Sequence, residues 1–137
     1  MLPDLDRGIV LKPIGTVRSP LKERLDARDE GLRQEPARIE LFPKFREGLD
    51  GLEIGDEALV LFWLDRIGEE ERKVLKDHPQ GDPNRELKGV FATRSPARPN
   101  PIGATTVRIT GREDCVIVVT GLDALDGTPV VDIKIKA

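Results

Sequence analysis

Tyrosine is absent from this chain, tryptophan occurs once and phenylalanine four times. That argues against a stacking platform tracking single-stranded nucleic acid and makes any RNA contact a local one. Cys115 is the only cysteine, so an intrachain disulfide and a multi-cysteine metal site are both excluded, as in a reducing compartment. With His78 as the only histidine, neither a zinc ligand set nor a Cys/His dyad with an orienting third group can be assembled. No glycine-rich turn joins a strand to a helix, which removes the dinucleotide fingerprint and the phosphate-cradling P-loop. The longest apolar run, Ala58 to Leu64, is far short of the roughly 20 residues of a membrane span, and the N-terminus lacks a basic leader. The expectation is a soluble cytoplasmic protein without a metal. A net charge of −3 opposes indiscriminate nucleic-acid binding.

Acids are also missing from one long window. Between Glu86 and Glu113 there is none, while Lys88, Arg94, Arg98, Arg108 and Arg112 are basic, so the remainder of the chain carries −8. Positive charge placed against the general trend implies an anionic partner. Inside the window Pro96, Pro99 and Pro101 each fix φ and withhold an N–H, making Ser95 to Pro101 a stiff loop. Arg94 and Arg98 stand on it. An arginine fork there can grip a carboxylate or phosphate, with charge-assisted bonds of about 1.5 to 3 kcal/mol each; the blander alternative is two arginines that neutralise a surface.

The 137 residues suit one domain, 1–137, with a core of its own. Ile9 to Leu11 and Ile14 to Val17 read as extended, interrupted at Pro13 and ending in Arg18-Ser19-Pro20. Residues 21–36 are charged and aperiodic, which predicts a solvated, partly mobile connection. Ala37, Ile39 and Leu41 alternate as in a strand, and Pro43 suits the first turn of a short helix through Glu47, closed by Gly48 or Gly51. Ala58 to Leu64 predicts a strand buried on both faces. Glu69 to Asp77 fits helix or strand, and His78 to Asn84 a loop. Strands follow at 87–93, 102–110, 115–120 and 130–135, with turns at Gly111 to Asp114 and Asp126-Gly127. About eight short strands without strand-helix alternation predict an all-β fold, a small closed antiparallel β-barrel with a short helix and long loops. Asp65, Asp126 and Arg18, all at strand ends or turns, could meet the cationic loop around a small zwitterionic or anionic ligand.

Phe91-Ala-Thr-Arg-Ser-Pro-Ala-Arg-Pro-Asn-Pro-Ile-Gly103 resembles the signature of the TsaA-like, TrmO-type tRNA methyltransferases. Ile14 to Pro20, Leu59 to Arg66 and Leu122 to Lys134 fall in the order that family uses, so the resemblance spans nearly the whole chain. It implies a β-barrel that binds S-adenosyl-L-methionine, acts as a homodimer, and methylates the exocyclic amino nitrogen of threonylcarbamoyladenosine beside the anticodon in tRNA. Carried over by position, cofactor contacts fall on Arg18, Ser19, Pro20, Asp65, Arg66, Arg94, Ala104, Leu125, Asp126, Gly127, Thr128 and Pro129, and RNA contacts on Arg98 and Asn100. No catalytic base is assigned. The chain departs from the family where Asp65 replaces a frequent His and where Ala104 replaces a larger Leu or Met, and some bacterial members continue into a second small domain. A non-catalytic barrel that binds the cofactor or RNA, and a methyltransferase for another small acceptor, are the alternatives.

Overall fold

In the computed structural model, which describes residues 7–137, six strands close into an antiparallel barrel. They are β1 (Gly15–Arg18), β2 (Ala37–Leu41), β3 (Glu57–Trp63), β6 (Ile102–Glu113), β7 (Val116–Thr120) and β8 (Pro129–Ile135), in the closed order β1-β2-β7-β6-β3-β8. Two-residue strands β4 (Lys76–Asp77) and β5 (Lys88–Gly89) pair with each other outside the barrel. Among the described residues helix is confined to α1 (Glu30–Gln34), α2 (Glu69–Arg72) and short 310 turns.

Period-two alternation builds the interior. Val17, Ile39, Val60, Phe62, Val107, Ile109, Ile117, Val119 and Val130 are buried and belong to one apolar cluster. The expectation of two buried faces for Ala58 to Leu64 is corrected by the closed topology. Ala58, Val60 and Phe62 face the core, whereas Leu59, Leu61 and Trp63 are half-buried on the outer face. Gly103 pairs with Phe62 across β3 and β6, and a Cβ on it would stand 2.2 Å from the Phe62 ring. Register shifts on the β3–β8 and β6–β7 ladders supply local bends.

Other local expectations also change. The Ile9 to Leu11 run is exposed, and β1 begins only at Gly15, where β2 and β8 offer partners. Residues 21–36 fold into a 310 turn at Arg24–Arg28 and α1. Asp26 Oδ2 accepts from the Lys22 and Glu23 amides at 2.8 and 3.0 Å, which lowers its pKa, and Asp29 caps α1 through Leu32 N. Pro43 does open a helical turn, running to Leu49, and Gly51 takes φ 94° just beyond it. Leu87 to Thr93 is only briefly extended before Val90–Ala92 turns as 310. Glu69 to Asp77 holds both alternatives in succession, α2 and then β4. No helix among the described residues is long and apolar enough to cross a membrane.

Candidate functional site

Because neighbours are antiparallel, β1, β3 and β7 end at the same rim where β2, β6 and β8 begin. That rim collects Arg18-Ser19-Pro20, Asp65-Arg66, the start of β6 with Ala104, and the turn Leu125 to Pro129. Residues scattered over the sequence are thereby brought to one end of the barrel.

The Ser19 and Asp126 loops are cross-bonded. Ser19 N donates to Asp126 Oδ1 at 3.0 Å, Leu21 N to Ser19 Oγ at 3.0 Å and Asp126 N to Leu21 O at 2.7 Å. Gly127 N donates to Val17 O at 2.8 Å, Val17 N to Thr128 O at 2.9 Å and Thr128 N to Leu125 O at 3.1 Å. The positive φ of 84° at Gly127 is what this turn requires, and Thr128 is buried behind it. The Ser19 amide first, then the Lys22 ammonium at 3.1 Å, hold the Asp126 carboxyl below the usual carboxylate range.

Arg66 braces the same region. Its Nη1 donates to Lys22 O at 2.6 Å and its Nη2 to Asp126 O at 3.1 Å, so the guanidinium ties three loops together. Arg24 adds a second tie, donating to Arg66 O at 2.8 Å and forming a fork on Glu71 with both bonds at 3.0 Å. These bonds raise the Arg24 pKa and lower that of Glu71. Lys22 and Arg24, in the segment expected to be a loose connection, are thus rim residues that local periodicity could not find.

Asp65 is different. It is exposed, its amide donates to Trp63 O at 2.9 Å, and its carboxylate has no hydrogen-bond or ion-pair partner among the described residues. Arg18 lies on the outer surface and pairs with Glu40 at 3.2 Å.

The proline loop reaches the rim between β5 and β6. Arg94, exposed, donates through Nη2 to the carbonyl of Ala104, leaving most of its five donors uncommitted. Arg98 turns inward: its Nη2 donates to the carbonyls of Val90 and of Thr93, the latter at 2.8 Å. Arg72 Nε bonds Pro99 O at 2.9 Å from outside while its guanidinium lies 5.2 Å from the Trp63 ring centroid. Ser95 Oγ donates to Asp77 Oδ2 at 2.9 Å, and Leu64 N to Pro101 O at 2.8 Å. Asn100 is exposed, and its carbonyl accepts from Ile102 N at 2.7 Å. Arg72 and Trp63 were missed in the sequence because their link to the loop is purely spatial.

No group of three or more metal-ligating side chains occurs among the described residues. A shallow cavity of about 320 Å³ lies away from this rim, lined by Ile14, Leu41, Phe45, Leu49 and Ile133. It holds none of the rim residues; Lys44, Glu47 and Asp132 also line it.

Fold and rim together define a class, a small closed antiparallel barrel with a candidate ligand site on the loops of one end. The chain belongs to the family described as tRNA-methyltransferase O N-terminal domain, whose model matches residues 16–135. It is 45% identical over 132 residues to a probable S-adenosyl-L-methionine-binding protein of Methanothermobacter thermautotrophicus, covering 94% of this chain and 90% of that one. A probable S-adenosyl-L-methionine-binding protein of Archaeoglobus fulgidus is 46% identical over 127 residues, covering 92% of this chain but 33% of its own length. The crystal structure of TrmO from Pseudomonas aeruginosa superposes with a TM-score of 0.72 at 33% identity, covering 95% of this chain and 56% of that one. The chain therefore spans most of the first relative, a third of the second and a little over half of the solved structure.

Proposed function

We propose that the chain binds S-adenosyl-L-methionine at the barrel rim and is a methyltransferase of tRNA, acting on the exocyclic amino nitrogen of threonylcarbamoyladenosine beside the anticodon. The observation that carries the reading is that one rim holds both an unpartnered carboxylate, Asp65, and an available guanidinium, Arg94, beside the cross-bonded turn around Asp126. The cofactor has an ammonium, a carboxylate and a ribose diol, and these are the groups that Arg94 and a free carboxylate bind. When bound, it supplies an electrophilic methyl group.

The residues divide the work. Arg94 receives a carboxylate and Asp65 an ammonium or diol. Arg18, Ser19, Pro20 and Leu125 to Pro129 present backbone groups and walls; Ala104 offers a small outer-face surface. Arg66 holds the two loops in register, since both its described bonds go to backbone carbonyls. A rim assembled before binding loses little entropy on binding, and methyl transfer to nitrogen depends chiefly on holding acceptor and donor at near-attack distance. Arg98 and Asn100 belong to the RNA side, and the carbonyl bonds of Arg98 make its contribution one of holding the loop. A cytoplasmic homodimer is part of the same proposal.

The relatives' description as binding proteins favours a second reading, a barrel that binds the cofactor without transferring its methyl group. Radiolabelled S-adenosyl-L-methionine separates the two. Label appearing in tRNA that carries threonylcarbamoyladenosine, and not in tRNA lacking it, is expected. Cofactor binding by calorimetry with no label in tRNA establishes the binder, label in a small metabolite identifies another acceptor, and no binding heat removes the cofactor itself.

A further inference from the structure

Phe91 is the most exposed aromatic among the described residues, with 85% of its surface in solvent, yet it follows directly on a buried, hydrogen-bonded residue. Val90, the residue before it, is 1% exposed, and Val90 N donates to Leu75 O at 2.9 Å. The Val90 carbonyl accepts from Thr93 N at 3.1 Å, from Thr93 Oγ1 at 3.0 Å and from the Arg98 guanidinium. A large ring held in water by such a pedestal gains nothing for the fold.

Its surroundings say what would cover it. Phe91 lies in the acid-free window, with Lys88 three residues before and Arg94 three after. The β4–β5 ladder sets Lys76 opposite Gly89. Lys76, Lys88 and Arg94 form no ion pair among the described residues, while Asp77 is engaged by Ser95 Oγ and by His78 N. Glu86 bounds the window in sequence, and Asp77, opposite Lys88 on the ladder, is an acid within the patch. An apolar partner would leave those cations uncompensated, and a bare anion would leave the ring in water. A strand of unpaired nucleotides satisfies both, with phosphates on the cations and a base on the ring.

We propose that Phe91 is a stacking platform for one unpaired base of an RNA loop, and that Lys76 and Lys88 flank it as phosphate contacts. The inference rests on the RNA reading above and adds the surface by which an RNA loop enters. One exposed phenylalanine stacks one base, which fits a chain too poor in aromatics to track a long strand.

The test measures anisotropy of a fluorescein-labelled RNA hairpin with a seven-nucleotide unpaired loop, beside a fully paired duplex of the same length. Wild-type protein is expected to prefer the hairpin. Phe91→Ala should weaken hairpin binding about tenfold, the scale of one lost base stack, with the salt slope unchanged. Phe91→Trp should restore binding, and Lys88→Ala should lower the salt slope by about one contact. Calorimetry with S-adenosyl-L-methionine should give the same affinity for Phe91→Ala as for wild type. Unchanged hairpin affinity in Phe91→Ala, or equal loss for hairpin and duplex, overturns the proposal. So does a change in oligomeric state on Phe91→Ala without loss of RNA binding, which would make the face a protein interface. Methyl transfer to tRNA by a Phe91→Ala protein as efficient as wild type would refute this surface and leave the proposed reaction standing; cofactor heat without transfer in wild type would refute the reaction first.

Discussion

At the scale of single residues, the rim arginines differ by what their guanidinium groups already hold. Arg66 donates to two carbonyls and Arg98 to two others, while Arg94 has one described bond and an exposed side chain. Arg94→Ala is therefore expected to weaken S-adenosyl-L-methionine binding by about 1.5 to 3 kcal/mol, read by calorimetry, with little change in unfolding midpoint. Arg98→Ala should weaken RNA binding with the salt slope intact, because it loosens the loop; a slope lowered by about one would instead put its guanidinium on a phosphate. Asp126 supplies a pH prediction. Its pKa is lowered in the folded protein by the Ser19 amide and Lys22, so its contribution is present above the unfolded value of about 3.9 and is lost as pH falls through the folded value. Urea unfolding should show Asp126→Asn less stable than wild type at neutral pH, with the gap closing in acid below that range. A gap that widens in acid would contradict the assignment.

At the scale of elements, what alternation can report was readable in advance and what distance imposes was not. β2 and β8 announced themselves by period-two apolar residues, β7 by a run of β-branched ones, and the 310 turn by Pro43. The Asp126-Gly127 turn was equally plain, since its glycine takes the φ the turn needs. Ile9 to Leu11 has the same strand propensity, but no neighbour in the closed order reaches it, and propensity without pairing leaves a run exposed. The segment 21–36 looked loose because its anchors, Arg24 to Glu71 and Arg66 to Lys22, link residues more than 40 positions apart. Asp65 and Arg94 could be named as candidates, but their lack of committed partners is a property of the assembled rim. Gly103 shows how a motif residue can serve the frame. A methyl group there would enter the Phe62 ring, so Gly103→Ala should destabilise the barrel by about 1 to 3 kcal/mol, measured by urea unfolding. Phe62→Leu in the same chain should recover part of the loss.

At the scale of the whole molecule, a closed barrel converts six strand ends into one ring of loops and so gathers residues 18–20, 65–66, 94–104 and 125–129 without a helix-bounded crevice. Charge is distributed to match: the chain is acidic overall, while the proline loop and the strand after it are basic. Membership in the tRNA-methyltransferase O N-terminal domain family accords with that arrangement. The most direct measurement incubates this chain with S-adenosyl-L-methionine and tRNA bearing threonylcarbamoyladenosine, digests the RNA to nucleosides and weighs them. The account predicts that threonylcarbamoyladenosine alone gains the mass of one methyl group. Bound cofactor with the mass of that nucleoside unchanged would contradict it.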